Sequence, residues 1–360
     1  MAAAAARTPL WAWVWPLLAW GILIATFAAG MSGPMAAAAG LALIATVFAA
    51  VHHAEVVAHR VGEPFGTLLL AVAVTVIEVA LIVSIMLGAA VDKSGLARDT
   101  VFASVMIACN GIVGLCLLSG GVRHHEQGFQ LEGASAALAV LVALTTLTLV
   151  LPNVTVATPG PVFSTSQLVF AGVISLVLYG SYVFVQTVRH RGYFLPVQAK
   201  SRKAPARPSN RTALISALLL FVALVAVVGL AKVLTPTLEF AVDFLDIPKA
   251  VVGVIIALLV LLPEGLAALR AARANQLQTS LNLALGSALA SIGLTIPAVA
   301  AVSIGLGRPL ALGLDVKDET LLAVTLIVGV ITLGTGRTTV LQGIVHLVIF
   351  ATFLFFAVLP

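Results

Sequence analysis

The sequence predicts an all-α polytopic membrane protein of about eleven transmembrane helices, arranged as one N-terminal helix and two inverted five-helix repeats. Three observations lead to this prediction. First, 61% of the 360 residues are hydrophobic and only 9% are charged, whereas roughly 25% of the residues in a soluble domain are charged. Second, the apolar residues form eleven runs that can each cross a hydrocarbon core of about 30 Å. Third, the two halves of the chain contain similar segments in the same order.

The apolar runs account for almost the whole chain and leave no room for a soluble catalytic domain. The first run contains four tryptophans, which favour a retained membrane anchor over a cleaved signal peptide. The expected spans lie at 10–29, 34–52, 66–90, 99–119, 133–151, 166–188, 212–233, 249–270, 279–305, 319–335 and 338–359.

One stretch, residues 189–211, is typical of a flexible linker because it is rich in Pro, Ser, Lys and Arg. It divides the chain into an extra N-terminal helix (1–30), a first repeat (31–188) and a second repeat (212–360). We expect this basic linker in the cytoplasm, either as a plain connector or against anionic lipid.

The basic residues predict the orientation of the chain. With the N-terminus in the cytoplasm, 13 of the 19 Lys and Arg residues fall inside and six fall outside, namely Lys93, Arg98, Lys232, Lys249, Arg308 and Lys317. The positive-inside rule therefore predicts a cytoplasmic N-terminus and an external C-terminus. No basic stripe with interleaved aromatic residues is present, so we expect no nucleic-acid partner.

Two carboxylates stand out from the 14 Asp and Glu residues, because only Glu78 and Glu264 fall inside predicted spans and not in loops or at the first residue of a span. An ionisable side chain at this depth costs a few kcal/mol and by default marks a functional site. A structural role, bonded to a neighbouring helix, is the alternative for one such glutamate. Because two glutamates occur at related positions, a functional role is favoured over a structural one.

The two halves share several features around these glutamates. A glutamate precedes a proline by nine residues in each half, Glu55 before Pro64 and Glu239 before Pro248. Each proline then leads into the span that carries Glu78 or Glu264. The next spans align as ASVMIACNGI (103–112) and LGSALASIGL (285–294), which brings Asn110 within one position of Ser291. Because Glu78 lies in the third span and Glu264 in the eighth, an odd difference of five, the two spans cross in opposite directions and the predicted repeats are inverted, as in many transporters.

Two glutamates that face each other would form a site of charge −2 with hard oxygen ligands, which suits Ca²⁺. The expected metal ligands are Glu78 and Glu264. Further cation or proton ligands are expected from Asn110, Ser287, Ser291 and Thr75, together with backbone carbonyls, including the one that Pro263 frees about one turn earlier. Without a cation, close carboxylates in an apolar environment hold protons more tightly. Competition between a cation and protons at one site, combined with alternating access, suffices for exchange.

Residues 54–115 and 238–295 resemble the two signature repeats of the cation/calcium exchanger superfamily, in its bacterial calcium/proton antiporter (CAX-type) branch. The segment HAEVVAHRVGEPFGTLLLAVAVTVIEVALIV carries most of the resemblance. It implies that Glu78 and Glu264 bind the cation and protons, within an inverted-repeat core that follows one extra helix. Many members have Gly-Asn three and four residues before each glutamate, where this chain has Val74-Thr75 and Val260-Leu261.

The leading hypothesis is a Ca²⁺/H⁺ antiporter of the inner (plasma) membrane that exports calcium. The alternatives are a Na⁺ or K⁺/H⁺ antiporter, an intramembrane enzyme that acts on lipid with Glu78 as base, and a channel. We expect no cofactor, no enzymatic activity, and as partners only small cations, protons, the lipid bilayer and a second copy in a homo-oligomer. Glu55 and Glu239 are predicted secondary residues for gating or ion entry. The histidines near Glu55, His52, His53 and His59, are either a pH sensor or plain interfacial residues.

Overall fold

The computed structural model of the chain describes residues 9–62, 65–87, 94–195, 208–245, 247–248 and 250–359. Within these residues the chain is mostly helical and forms eleven helices, two of which are each divided by a π segment, so that thirteen α-helical segments are numbered below. Nine of them, counted over the described residues, are long and apolar enough to cross a membrane. The predicted all-α membrane fold is thereby confirmed, whereas the inverted layout of its repeats stays a prediction.

The described helices fall into two compact units, and each unit contains helices from both halves of the sequence. The first unit contains α1 (Leu10–Ala29), α2 (Gly33–Val61), α3 (Phe65–Leu87) and α8 (Asn210–Phe244). The second unit contains α4 (Leu96–Met106), α5 (Val113–His124), α6 (Leu131–Thr145), α7 (Thr165–Phe184), α9 (Ala250–Arg273), α10 (Leu277–Ala290), α11 (Ile296–Leu306), α12 (Val316–Leu333) and α13 (Val340–Val358).

Small side chains let the helices of the first unit pack closely. Alanines of α1, α2 and α8 are fully buried, among them Ala12, Ala19, Ala39, Ala42, Ala223 and Ala226. Such residues allow close helix contact in a membrane, where association depends on packing and hydrogen bonds. The Trp20 indole of α1 donates to the Val222 carbonyl of α8 at 3.2 Å. The first helix is therefore an integral part of this unit.

The second unit is built around one long, buried helix that consists of α4, a π-helical segment (Ile107–Ile112) and α5. About nine tenths of the residues in its most apolar stretch are buried, a larger share than in any other candidate span. Helices α9, α10 and α13 all pack against it. This helix carries Asn110, so the packing of the unit determines which groups surround that residue.

Wide π turns interrupt two helices at nearly corresponding points of the predicted repeats. One is Ile107–Ile112, between α4 and α5, and the other is Ser291–Thr295, between α10 and α11. Further π segments end α6 at Thr146–Val150 and α7 at Val185–Arg189. π turns inside α-helices occur frequently at functional sites. The first π segment contains Asn110 and the second begins at Ser291, while the repeat itself stays a prediction.

Loops of the second unit that contact each other are ones that the predicted topology places on the same side of the membrane. On one side, β1 (Gln127–Gly128) pairs antiparallel with β2 (Arg337–Thr338), and both loops were assigned to the cytoplasm. On the other side, the Asn153 amide bonds to the Leu314 carbonyl and, at 2.7 Å, to the Glu319 carboxylate. With a cytoplasmic N-terminus, the predicted spans place these loops outside. Which side faces the cytoplasm stays a prediction from charge.

Two helices are longer than their apolar runs predict. Helix α2 continues from the predicted end near residue 52 to Val61, and α8 passes through Pro236 to Phe244. The polar ends of both helices lie beyond the apolar run but keep the helical backbone. Most of the predicted linker, residues 196–207, lies outside the described part of the chain, so its flexibility stays a prediction.

Candidate cation-binding site

Glu78 lies on the buried face of α3 in the first unit. Its side chain is 2% exposed. Thr75, one turn earlier on the same face, is also buried, as are Ile77 and Leu81, whereas Val76 on the opposite face is exposed. Helix α3 packs against α2 and α8 within this unit. The lone carboxylate of the apolar run is thus held inside protein, with a hydroxyl one turn away.

Glu264 lies on α9 in the second unit, directly after the buried Pro263, and is half-buried. Helix α9 remains helical through this proline, although Pro263 has no N–H to donate to the carbonyl one turn earlier. The next residue, Gly265, lies so close to the π segment that an added Cβ would come within 3.2 Å of the Ile112 side chain. Glu264 is therefore near the wide turn that carries Asn110.

Asn110 is fully buried, and both ends of its side-chain amide are bonded. The Asn110 Nδ2 donates to Thr325 Oγ1 of α12 at 2.9 Å. The Asn110 Oδ1 lies 3.0 Å from His346 Nδ1 of α13. These two bonds fix the orientation of a residue that the sequence predicts to be a cation ligand.

Ser287 and Ser291 lie one turn apart at the end of α10, which packs against α9. Ser291 is buried and begins the π segment, while Ser287 is half-buried. The second unit thus contains Glu264, Asn110, Ser287 and Ser291, and the first unit contains Glu78 and Thr75.

The predicted secondary residues lie on the long helices of the first unit. Glu55 is half-buried on α2. Glu239 belongs to α8, and its side chain is outside the described part of the structure. Near Glu55, the buried His53 bonds through Nε2 to the Ala12 carbonyl of α1 at 2.9 Å, and the His52 ring lies 5.4 Å from that of Trp11. These two histidines therefore join α1 to α2.

The sequence did not single out Thr325 or His346 as site residues. His346 is buried, with 1% of its surface exposed, and Thr325 is equally buried. A signal for His346 was present, because it is the one histidine that lies away from the predicted cytoplasmic ends of the spans. Among the residues that the structure describes, no three His, Cys, Asp or Glu side chains form a metal-binding group.

The fold and these residues define a class of protein. Many apolar helices, a buried glutamate in one compact unit and a second glutamate beside a wide turn in the other are the features of an ion transporter. The chain belongs to the family described as sodium/calcium exchanger protein, which matches residues 32–188 and 215–359. It is therefore a membrane transporter of the cation/calcium exchanger superfamily, as the resemblance predicted, and its relatives are exchangers and antiporters, not enzymes.

Two curated relatives are similar over most of their length. The chain is 54% identical to the putative ionic transporter y4hA of Sinorhizobium fredii, over 99% of this chain and 98% of that protein. It is 36% identical to the sodium-potassium/proton antiporter ChaA of Escherichia coli, over 87% of this chain and 86% of that protein. These similarities support cation antiport.

Solved structures share the fold at low sequence identity. The structure of native YfkE has a TM-score of 0.75 and 18% identity, and it covers 97% of this chain and 100% of its own. The H⁺/Ca²⁺ exchanger CAX has a TM-score of 0.67 and 15% identity, with 96% and 88% covered. At this identity the match establishes the fold and leaves the transported ion open.

Proposed function

We propose that this protein is a proton-coupled antiporter that exchanges Na⁺ or K⁺ for H⁺, with Glu78 and Glu264 as the carboxylates that bind the cation and the protons. The observation that carries the choice of ion is the 36% identity, over 87% of the chain, to an antiporter named for sodium and potassium. The sequence alone ranked calcium first, and this relative supports placing sodium or potassium before it.

The residues near the two glutamates support the same choice. The preceding turn offers Val74-Thr75 on α3 and Val260-Leu261 on α9, so neither segment supplies a side-chain amide there. Ca²⁺ takes six to eight oxygen ligands. A carboxylate with one hydroxyl or carbonyl provides few of them, which weakens the sequence argument for Ca²⁺.

Ca²⁺/H⁺ exchange is the second candidate, because two glutamates and two nearby serines still offer several hard oxygen ligands. Both candidates use one exchange mechanism. A bound cation displaces protons from the carboxylates, and protons taken up on the other side of the membrane displace the cation. Alternating access then couples the two flows.

Proton and cation flux in everted membrane vesicles tests the proposal. Vesicles that contain the overproduced protein first build a proton gradient, and NaCl, KCl or CaCl₂ is then added in turn. We expect sodium or potassium to collapse the gradient, with calcium weaker. Collapse by calcium alone would reject the choice of ion, and no collapse with any of the three would reject antiport.

A further inference from the structure

His346 is a buried titratable residue of the second unit that the proposed exchange does not use. It lies on α13, and it contacts the π segment through Asn110. We propose that His346 is a positioning residue of the cation site, which together with Thr325 holds the Asn110 side chain so that its carbonyl oxygen can serve as a ligand. This inference rests on the proposed function and on Asn110 as a ligand.

The hydrogen bonds determine which end of the Asn110 amide faces His346. The Thr325 hydroxyl donates to the Leu321 carbonyl at 2.7 Å, so its oxygen is left to accept a hydrogen bond. The group that donates to Thr325 is therefore the Asn110 NH₂. The opposite end of the amide, which faces His346, is the carbonyl oxygen Oδ1.

The tautomer of His346 follows from this orientation. A carbonyl oxygen only accepts, so His346 Nδ1 carries the proton and donates it to Asn110 Oδ1. Within the described residues, His346 Nε2 has no hydrogen-bond partner. The Nδ1–H of His346 is thus directed at the Asn110 carbonyl oxygen, and the ring also interacts with the Cys109 backbone carbonyl of the same π segment. Because a carbonyl oxygen has two lone pairs, Asn110 Oδ1 can accept this bond and ligate a cation at the same time.

Close packing between α5 and α13 keeps His346 at this position. A Cβ on Gly114 would come within 3.1 Å of the His346 Cβ, and a Cβ on Gly343 would lie 2.9 Å from the Leu118 Cα. Glycines at these points let the two helices approach closely. The imidazole therefore has little freedom to move away from Asn110.

Groups that bond to a metal ligand commonly orient it, and their loss typically lowers metal affinity by about 10- to 100-fold. Leucine has a similar size to histidine but no donor, whereas the Nδ2 of asparagine is as far from Cβ as the Nδ1 of histidine. His346→Leu and His346→Asn therefore separate the hydrogen bond from the volume. Thr325→Val and Thr325→Ser do the same for the other end of the amide.

The test measures cation-dependent proton flux in vesicles that contain wild type, H346L, H346N, T325V or T325S, at equal amounts of folded protein. We expect H346L to raise the KM for the preferred cation by about 10-fold with a smaller change in maximal rate. The KM values for Na⁺, K⁺ and Ca²⁺ should also differ less from one another than they do in the wild type. H346N should restore most of the affinity. I349L, a packing change on the same helix, should behave as wild type.

The inference is overturned if H346L keeps the wild-type KM and ion preference, or if H346N is as defective as H346L. Should H346L fail to fold, T325V and T325S decide, and equal KM values for these two variants overturn the inference. Absence of exchange by the wild type would reject the proposed function and this inference together. Normal wild-type exchange with an unchanged H346L rejects the inference alone.

Discussion

The segments around the two glutamates resemble each other in sequence but differ in structure. On α3, Glu78 is almost completely buried, beside Thr75 on an apolar stripe. On α9, Glu264 is half-buried, follows Pro263 and precedes a glycine in close contact with the π segment. The difference indicates that Glu78 sits in a closely packed, buried environment, whereas Glu264 lies on a helix that lacks one backbone hydrogen bond. We therefore expect the two glutamates to respond unequally to the same change.

The largest expected difference comes from shortening each side chain by one methylene. Glu78→Asp should lower the exchange rate by about 100-fold, because a carboxylate withdrawn by roughly 1 Å in a tightly packed environment loses its geometry. Glu264→Asp should cost only about 10-fold, because Glu264 is the less buried of the two carboxylates and lies on a helix that lacks one backbone hydrogen bond, so its segment can adjust to the shorter side chain. Initial rates in proteoliposomes measure both. Equal losses would mean that the two environments are functionally alike.

The next largest effect on exchange is expected at Pro263, which distinguishes the Glu264 segment from the Glu78 segment. Pro263→Ala restores an N–H and lets the carbonyl one turn earlier be bonded within the helix. If that carbonyl serves the cation, exchange should fall by about 10-fold, equivalent to about 1.4 kcal/mol. Pro16→Ala in α1, another buried proline inside a helix, is the matched control. Similar effects of both changes would assign Pro263 a role in packing only.

A smaller effect is expected at the hydroxyl beside Glu78. Thr75→Val keeps the shape of the side chain and removes one hydrogen-bonding group, which is worth about 1 kcal/mol. The KM for the cation should rise by about fivefold, while Thr75→Ser should leave it nearly unchanged. Cation titrations of the initial rate separate the two variants. Identical KM values for valine and serine would exclude the Thr75 hydroxyl from the site.

A substitution at Gly265 is expected to affect transport least and to change mainly the stability of the protein. A Cβ there would come within 3.2 Å of the Ile112 side chain, which would have to shift, whereas Ala in place of Gly otherwise stabilises a helix by about 1 kcal/mol; Gly265→Ala should therefore be less stable than its control by about 1 kcal/mol. Gly286→Ala on α10 is the control, because an added Cβ meets nothing within 4 Å there. Thermal unfolding in detergent compares the two. A G265A protein as stable as G286A would show that α9 and the π segment are less tightly packed than described.

The sequence predicted the helices well because apolar runs and their charges are local signals. All eleven helices were expected, and most ends lie within a few residues of the observed ones. The lengths of α2 and α8 were underestimated. Hydropathy falls at the polar segment after His52 and at Pro236, whereas the helical backbone hydrogen bonds continue.

Features that depend on packing could not be predicted from the sequence. The π turns and the two compact units, which combine helices of both halves, have no local signature. The bonds of Asn110 join it to residues 215 and 236 positions away, and no spacing rule connects such distant residues. Sequence could therefore propose Asn110 as a ligand but could not find the groups that orient it.

The central claim is that Glu78 and Glu264 carry the exchanged ions, and one measurement tests it most directly. The wild type, Glu78→Gln, Glu264→Gln and the control Glu126→Gln are purified and reconstituted, and cation-driven proton flux is recorded at equal protein content. Glu126 is an exposed glutamate paired with Arg337, so its neutralisation should change little. The account predicts that each of the first two variants abolishes flux while Glu126→Gln retains it. Wild-type flux in either E78Q or E264Q would contradict it.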